Sequence, residues 1–190
     1  VCHVGHVPYE DVYFSSRYLE GAILVYLKNL GVVAPNKPIK PDMSSGDKFT
    51  GAYVQSPQRG KHDWVFDLDI TSMYPSVIMS LNISPETKIG KLKGWDAEEF
   101  IRGAKKTYTL ESNGREKGKL TETELKDFFD NNKVSVSSNG VLYRSDKKGL
   151  IPALLEKWFD TRVEYRKLMK KFGDAGDNEK YTYFKSRQLI

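Results

Sequence analysis

The sequence predicts an α+β fold, on three observations. Trp64, Phe66 and Leu68 alternate with Val65, Asp67 and Asp69 as in a short buried strand, and Pro75 marks a helix start just beyond it. Val134-Ser-Val136-Ser and Val141-Leu-Tyr143 flank Asn139-Gly140 as in a β-hairpin, with Asn-Gly supplying the positive φ angles of a type I′ turn. Ser15–Leu30 and Leu150–Phe172 carry apolar residues at helical spacing.

Composition sets bounds without naming a function. The 190 residues suffice for one domain with a real core, or for part of a larger one. Thirty basic against 25 acidic residues give a net charge of +5, which permits nucleic-acid binding without requiring it. A single cysteine, Cys2, excludes an internal disulfide and fits a reducing compartment. No stretch approaches the length of a membrane span, the N-terminus has no signal-peptide pattern, and there are no repeats or low-complexity tracts. The chain begins at Val1 and stops at Ile190 inside a helical pattern, as an excised piece would.

In chain order, Val1–Phe14 is turn-rich. Its Cys2, His3 and His6 lack zinc spacing and a fourth ligand, so a plain loop is expected. Ser15–Leu30 is a packing helix with Ser15 or Ser16 as cap and Gly31 at its end. Pro35, Pro38 and Pro41 mark an extended connection over 32–46. The helix opened by Pro75 runs through Val77, Ile78 and Leu81 and stops before Pro85. Asp96–Ala104 and Thr121–Asp130 read as helices, the second with a capping box from Thr121 to Glu124. Between them, Gly114, Gly118 and several lysines suggest a solvated loop.

On Leu150–Phe172, residues Ile151, Leu154, Leu155, Trp158 and Phe159 form an apolar stripe. Arg162, Arg166 and Lys170 stack on another face, where like charges repel unless an anion sits opposite; a solvated basic face is the commoner outcome of such runs. Gly173–Asn178 is a turn, and a second helix begins near Glu179, making an antiparallel helical hairpin.

The chemistry lies where strand meets helix. An apolar strand rarely ends in two carboxylates on one face unless they meet water, a cation or a metal. Here they stand beside a helix N-terminus with free N–H groups, a place where a divalent cation and a polyphosphate could be held together.

Asp69-Ile-Thr-Ser72-Met73-Tyr74-Pro75-Ser76-Val-Ile, followed by Asn82-Ile-Ser84-Pro85-Glu-Thr87, resembles motif A of the family B DNA polymerases, D-x-x-S-L-Y-P-S-I-I and then N-x-S-P-x-T. Met73 replaces the usual Leu and Val77 an Ile, both with similar apolar volume. Phe49-Thr-Gly51-Ala52-Tyr53 is similar to the family's Y-x-G-G/A segment beside the template strand, with Phe49 lacking the tyrosine hydroxyl. Ser138-Asn139-Gly140-Val-Leu-Tyr143 leading to Gly149-Leu-Ile-Pro152 resembles the bacteriophage branch. Arg162 and Arg166 match the R-x-x-x-K of the fingers, with Arg166 for Lys and Lys167 adjacent as the other candidate. Arg187-Gln188 resembles the start of motif B; its lysine, its N-S-x-Y-G and motif C with the second catalytic aspartate are absent.

The resemblance implies residues 1–46 linking the exonuclease region to the palm, 47–149 as palm with motif A and a phage-type insertion, and 150–190 as the fingers hairpin. It implies a DNA-directed DNA polymerase that adds deoxynucleotides to a primer 3′-hydroxyl with two Mg²⁺ ions. Asp69 would be catalytic and, with the carbonyl of Ile70, a metal ligand. Ser72, Met73 and Tyr74 would meet the nucleotide, Tyr74 beneath the sugar. Arg162 and Arg166 would hold phosphates, and Gly51, Ala52 and Tyr53 would touch DNA. Asp67, roughly 6–7 Å from Asp69 along a strand, is no substitute for the missing carboxylate. Implied partners are primer–template DNA, deoxynucleoside triphosphates and a sliding clamp through sequence outside this chain, in the cytoplasm of a host cell and without a membrane. A protein-primed polymerase of the same family and a non-catalytic DNA-binding or assembly subunit are the alternatives; the phage-type hairpin speaks against the first and the intact motif residues against the second.

Overall fold

A computed structural model describes residues 1–36, 53–103, 107–112 and 114–188. Helices and one antiparallel sheet make an α+β arrangement. The order is α1 (Cys2–Gly5), a 3₁₀ turn (Tyr9–Tyr13), α2 (Ser15–Asn29), α3 (Met73–Ser80), β1 (Lys88–Lys93), α4 (Ala97–Ile101), β2 (Thr107–Ser112), β3 (Arg115–Thr121), α5 (Glu122–Asn132), β4 (Val134–Val136), β5 (Val141–Arg144), α6 (Leu150–Asp174) and α7 (Asn178–Arg187). Among the described residues no helix is long and apolar enough to cross a membrane.

The five-stranded sheet has the order β3-β2-β1-β5-β4. Leu92, Tyr108 and Leu142 from its strands meet Leu125 of α5, and Trp95, Phe100 and Phe129 close an aromatic cluster over them. The strands alternate, so their other face carries Lys91 and Lys93, with Lys93 paired to Glu116 at 3.3 Å.

The segment expected as a solvated loop is the β2–β3 hairpin. Tyr108, Leu110 and Leu120 point to the core, and Lys117 and Lys119 are exposed on the edge strand, where lysine discourages pairing with other chains. Its lysines hid a half-buried alternation. The β4–β5 turn also differs from expectation. Only Gly140 has positive φ (80°), and its N–H donates to the Ser137 carbonyl at 2.8 Å. That is a turn over Ser138 and Asn139 closed by a left-handed glycine; type I′ would need positive φ at Asn139 too. A Cβ on Gly140 would lie 2.7 Å from the Leu92 carbonyl oxygen and from Trp95 Cβ.

Thr121 caps α5 through a reciprocal box with Glu124, as its spacing predicts. α2 follows its predicted span, but Phe14 occupies the cap position without a side-chain bond, and Gly31 (φ 69°) follows the end. Instead of a plain loop, the N-terminal stretch forms α1 and the 3₁₀ turn, closed by local main-chain bonds such as Gly5 N–H to the Val1 carbonyl. Of the 32–46 connection, residues 37–46 lie outside the described residues.

α6 and α7 fold back on each other: Phe184 stacks on Phe172 with centroids 5.6 Å apart and meets Tyr165, while Tyr181 abuts Gly173. α6 also packs on α3. Pro152 and Leu154 are buried on α6, whereas Phe159, at the far flank of the stripe, is 37% exposed.

Candidate active site

The strand expected over Trp64–Asp69 has no regular secondary structure. Trp64 (97% exposed), Phe66 (81%) and Leu68 (85%) stand in solvent, so the buried expectation is corrected. A strand forms only against a partner ladder, and no other described segment of this chain pairs with this one. Trp64 also adopts a left-handed φ of 59°, which interrupts an extended run. Asp67 and Asp69 are exposed, as is Ile70.

Ser72, at φ 51°, turns the chain directly into α3. The helix begins at Met73, two residues before the proline expected to open it, so Tyr74 already lies within the helix. Pro75 fits because first-turn N–H groups have no partner inside a helix, and a proline there forfeits no bond. The first intrahelical-type bond runs from Ser76 N–H to the Ser72 carbonyl at 2.9 Å. Main-chain N–H groups of Met73 and Tyr74 therefore have no partner among the described residues at this N-terminus, a few residues past Asp69. The Tyr74 side chain is 72% exposed and packs in no core.

Arg162, Arg166 and Lys170 lie exposed along α6, with Lys167 beside them. No described acidic side chain is paired with any of these four. Because α6 packs on α3, the basic row and Met73–Tyr74 belong to contacting elements. Gly51 and Ala52 lie outside the described residues; Tyr53 is exposed. Among the described residues no three His, Cys, Asp or Glu side chains gather as a metal-holding group, Cys2, His3 and His6 included.

The N-x-S-P-x-T segment, quoted above only as a match, proves to be the junction of the site. Asn82 ends α3 in left-handed conformation (φ 55°) and is 8% exposed. Its Nδ2 donates to the carbonyls of Arg144 (2.6 Å) and Lys147 (2.8 Å), and its Oδ1 accepts from Gly149 N–H (2.8 Å). Ser84 and Thr87 are buried and satisfied, Thr87 Oγ1 donating to the Asn82 carbonyl at 2.6 Å. Burial works to raise the Glu86 carboxyl, but hydrogen bonds from Leu150 N–H and the Ser84 hydroxyl outweigh it and hold the carboxyl below its ordinary value. Ser135 Oγ donates to the Leu81 carbonyl (2.6 Å), so the sheet edge grips the same end of α3. The missed signal was α6 itself, which opens at Gly149-Leu150 with no capping side chain of its own.

The model of DNA polymerase family B matches residues 12–190. The chain belongs to DNA polymerase family B. Its relatives include the DNA-directed DNA polymerase of Escherichia phage RB69, 25% identical over 170 residues, and that of Enterobacteria phage T4, 30% identical over 167. Each match covers 88% of this chain and 16% of the phage protein. The DNA polymerase of Archaeoglobus fulgidus is 37% identical over 83 residues, 43% of this chain and 10% of its own length. This family B chain thus spans about a sixth of the length of the phage relatives it matches.

Proposed function

We propose that the chain is the part of a phage-type DNA-directed DNA polymerase that carries motif A and the phosphate-gripping fingers helix. The carrying observation is a motif A match at the N-terminus of α3, on a helix that packs against α6, whose exposed basic row has no acidic partner among the described residues. Residues 47–149 act as palm, 150–190 as fingers, and 1–46 as the link into the palm.

The Asp69 carboxylate and Ile70 carbonyl are hard oxygen donors, right in kind for Mg²⁺ but too few to hold it without carboxylates from the rest of the polymerase. When bound, such ions activate the primer hydroxyl and neutralise charge on the transferred phosphate. Met73 and Tyr74 N–H groups orient the triphosphate at the helix N-terminus, where donors and dipole both favour an anion. Arg162 and Arg166, four residues apart on α6, reach phosphate oxygens from the other side. Template and primer are the partners, Tyr53 with Gly51 and Ala52 lies along the DNA, and the work is done in a host cell's cytoplasm.

Arg162→Ala in the full-length protein tests the fingers assignment. A charge-assisted phosphate contact is worth about 1.5–3 kcal/mol, so kcat/KM for the nucleotide should fall roughly ten- to hundred-fold. Affinity for primer–template should hold. A main loss in duplex affinity, with a shallower salt dependence, would make Arg162 a DNA-backbone contact instead.

A further inference from the structure

The groups that cap α6 are not on α6. The first N–H groups of a helix have no partner within it. Here Gly149 N–H donates to Asn82 Oδ1 (2.8 Å), Leu150 N–H to Glu86 Oε1 (2.5 Å) and Ile151 N–H to Ser84 Oγ (3.3 Å). All three acceptors come from the segment that ends α3, more than sixty residues earlier in the chain. Asn82 simultaneously pins the incoming loop through the Arg144 and Lys147 carbonyls. That loop is itself braced by the Arg144 guanidinium, whose two nitrogens donate to the Asp146 carboxylate at 2.6 and 2.5 Å. Contact is close enough to exclude any side chain at Gly149: a Cβ there would lie 2.7 Å from Ser84 Cβ and 3.0 Å from Thr87 Cγ2.

We propose that Asn82 is a positioning residue for nucleotide binding: by capping α6 from the end of α3, it sets where Arg162 and Arg166 stand over the motif A helix. This rests on the function proposed above. Apolar packing between α3 and α6 is non-directional and permits small rotations; hydrogen bonds to the helix terminus fix direction. Arg162 lies about 18 Å along α6 from its start, so a tilt of about 3° at the base moves it by roughly 1 Å. A displacement of that size can cost as much as about a hundred-fold when it separates groups that must meet a reacting phosphate.

The test uses the full-length polymerase and single-turnover incorporation of one matched deoxynucleotide, with nucleotide Kd, maximal rate, primer–template Kd and Tm measured for each variant. Asn82→Ala should raise nucleotide Kd about tenfold while primer–template Kd stays within about twofold. In the triple variant Asn82→Ala with Arg162→Ala and Arg166→Ala, nucleotide Kd should match that of the Arg162→Ala, Arg166→Ala pair without it, because no arginine side chain is left to misplace. Unchanged nucleotide Kd in folded Asn82→Ala overturns the inference, and so does a further tenfold loss on adding Asn82→Ala to the variant that already lacks both arginine side chains. Should Asn82→Ala fail to fold, Glu86→Ala decides. Glu86 is exposed and caps the neighbouring N–H, so its loss should raise nucleotide Kd in the same direction, and an unchanged value overturns the inference. If Arg162→Ala itself leaves incorporation untouched, the fingers assignment fails, and the positioning role falls with it.

Discussion

Asp69→Asn in the full-length polymerase is expected to reduce template-directed incorporation about a thousand-fold or more while leaving the fold intact. The amide keeps the shape of the side chain but loses the charge that a hard divalent cation requires. Losing several kcal/mol of transition-state stabilisation at a two-metal site, about 4 kcal/mol, corresponds to that factor. Asp69 is exposed and no ion pair ties it to a described residue, so the cost in stability should stay within about 0.5 kcal/mol. Single-turnover rates beside a melting curve check both halves. A rate within tenfold of wild type would remove Asp69 from the metal site.

Tyr74→Ala should loosen discrimination against ribonucleotides. The ring stands 72% exposed on the first turn of α3, beside the open N–H groups of Met73 and Tyr74. A flat ring beneath a deoxyribose leaves no room for a 2′-hydroxyl, the group that separates the two sugars. Selectivity set by one small group in a pocket is worth about ten- to two-hundred-fold, so the ribo-to-deoxy ratio of kcat/KM should rise within that range. Burial of Tyr74 in a core would have put about 3–5 kcal/mol at stake. The exposure observed reduces this to the small change typical of surface sites, and Tm should barely move. An unchanged sugar ratio in the folded variant ends the steric-gate role.

The elements legible in the sequence were those whose signals are local. α2 and α6 follow apolar spacing read directly from the chain, α7 begins beside the Glu179 where a second helix is expected, and the Thr121–Glu124 box of α5 was visible as a spacing alone, whereas the cap expected for α2 at Ser15 or Ser16 is absent. The start of α3 was less secure. Pro75 and Pro152 both sit third in their helices: first-turn N–H groups have no partner inside the helix, so a proline marks the first turn and not its first residue. Sheet structure depends on partners far along the chain, and there local signals misled in both directions. The lysine-rich stretch after Gly114 is a paired edge strand, while the apolar alternation at Trp64–Leu68 pairs with nothing described here.

The candidate site divides in the same way. Motif A and the Arg162–Lys170 row were readable from residue types and spacing, since each lies within one stretch of chain. The clamp of Asn82, Ser84 and Glu86 on Gly149, Leu150 and Ile151 was not, because it joins distant segments through side chain to main-chain bonds. In the sequence Gly149 stood only as part of the match to the bacteriophage branch, with no reason given for a glycine there. It is a glycine because Ser84 and Thr87 leave no space for a Cβ.

Incorporation of a single deoxynucleotide on a primed template in Mg²⁺, by the full-length protein and by residues 1–190 alone, tests the polymerase assignment most directly. The full-length protein should add the nucleotide that matches the template, and residues 1–190 should add none, since Asp69 cannot assemble a two-metal site without further carboxylates. Template-directed, Mg²⁺-dependent extension by residues 1–190 alone, or none by the folded full-length protein, would contradict it.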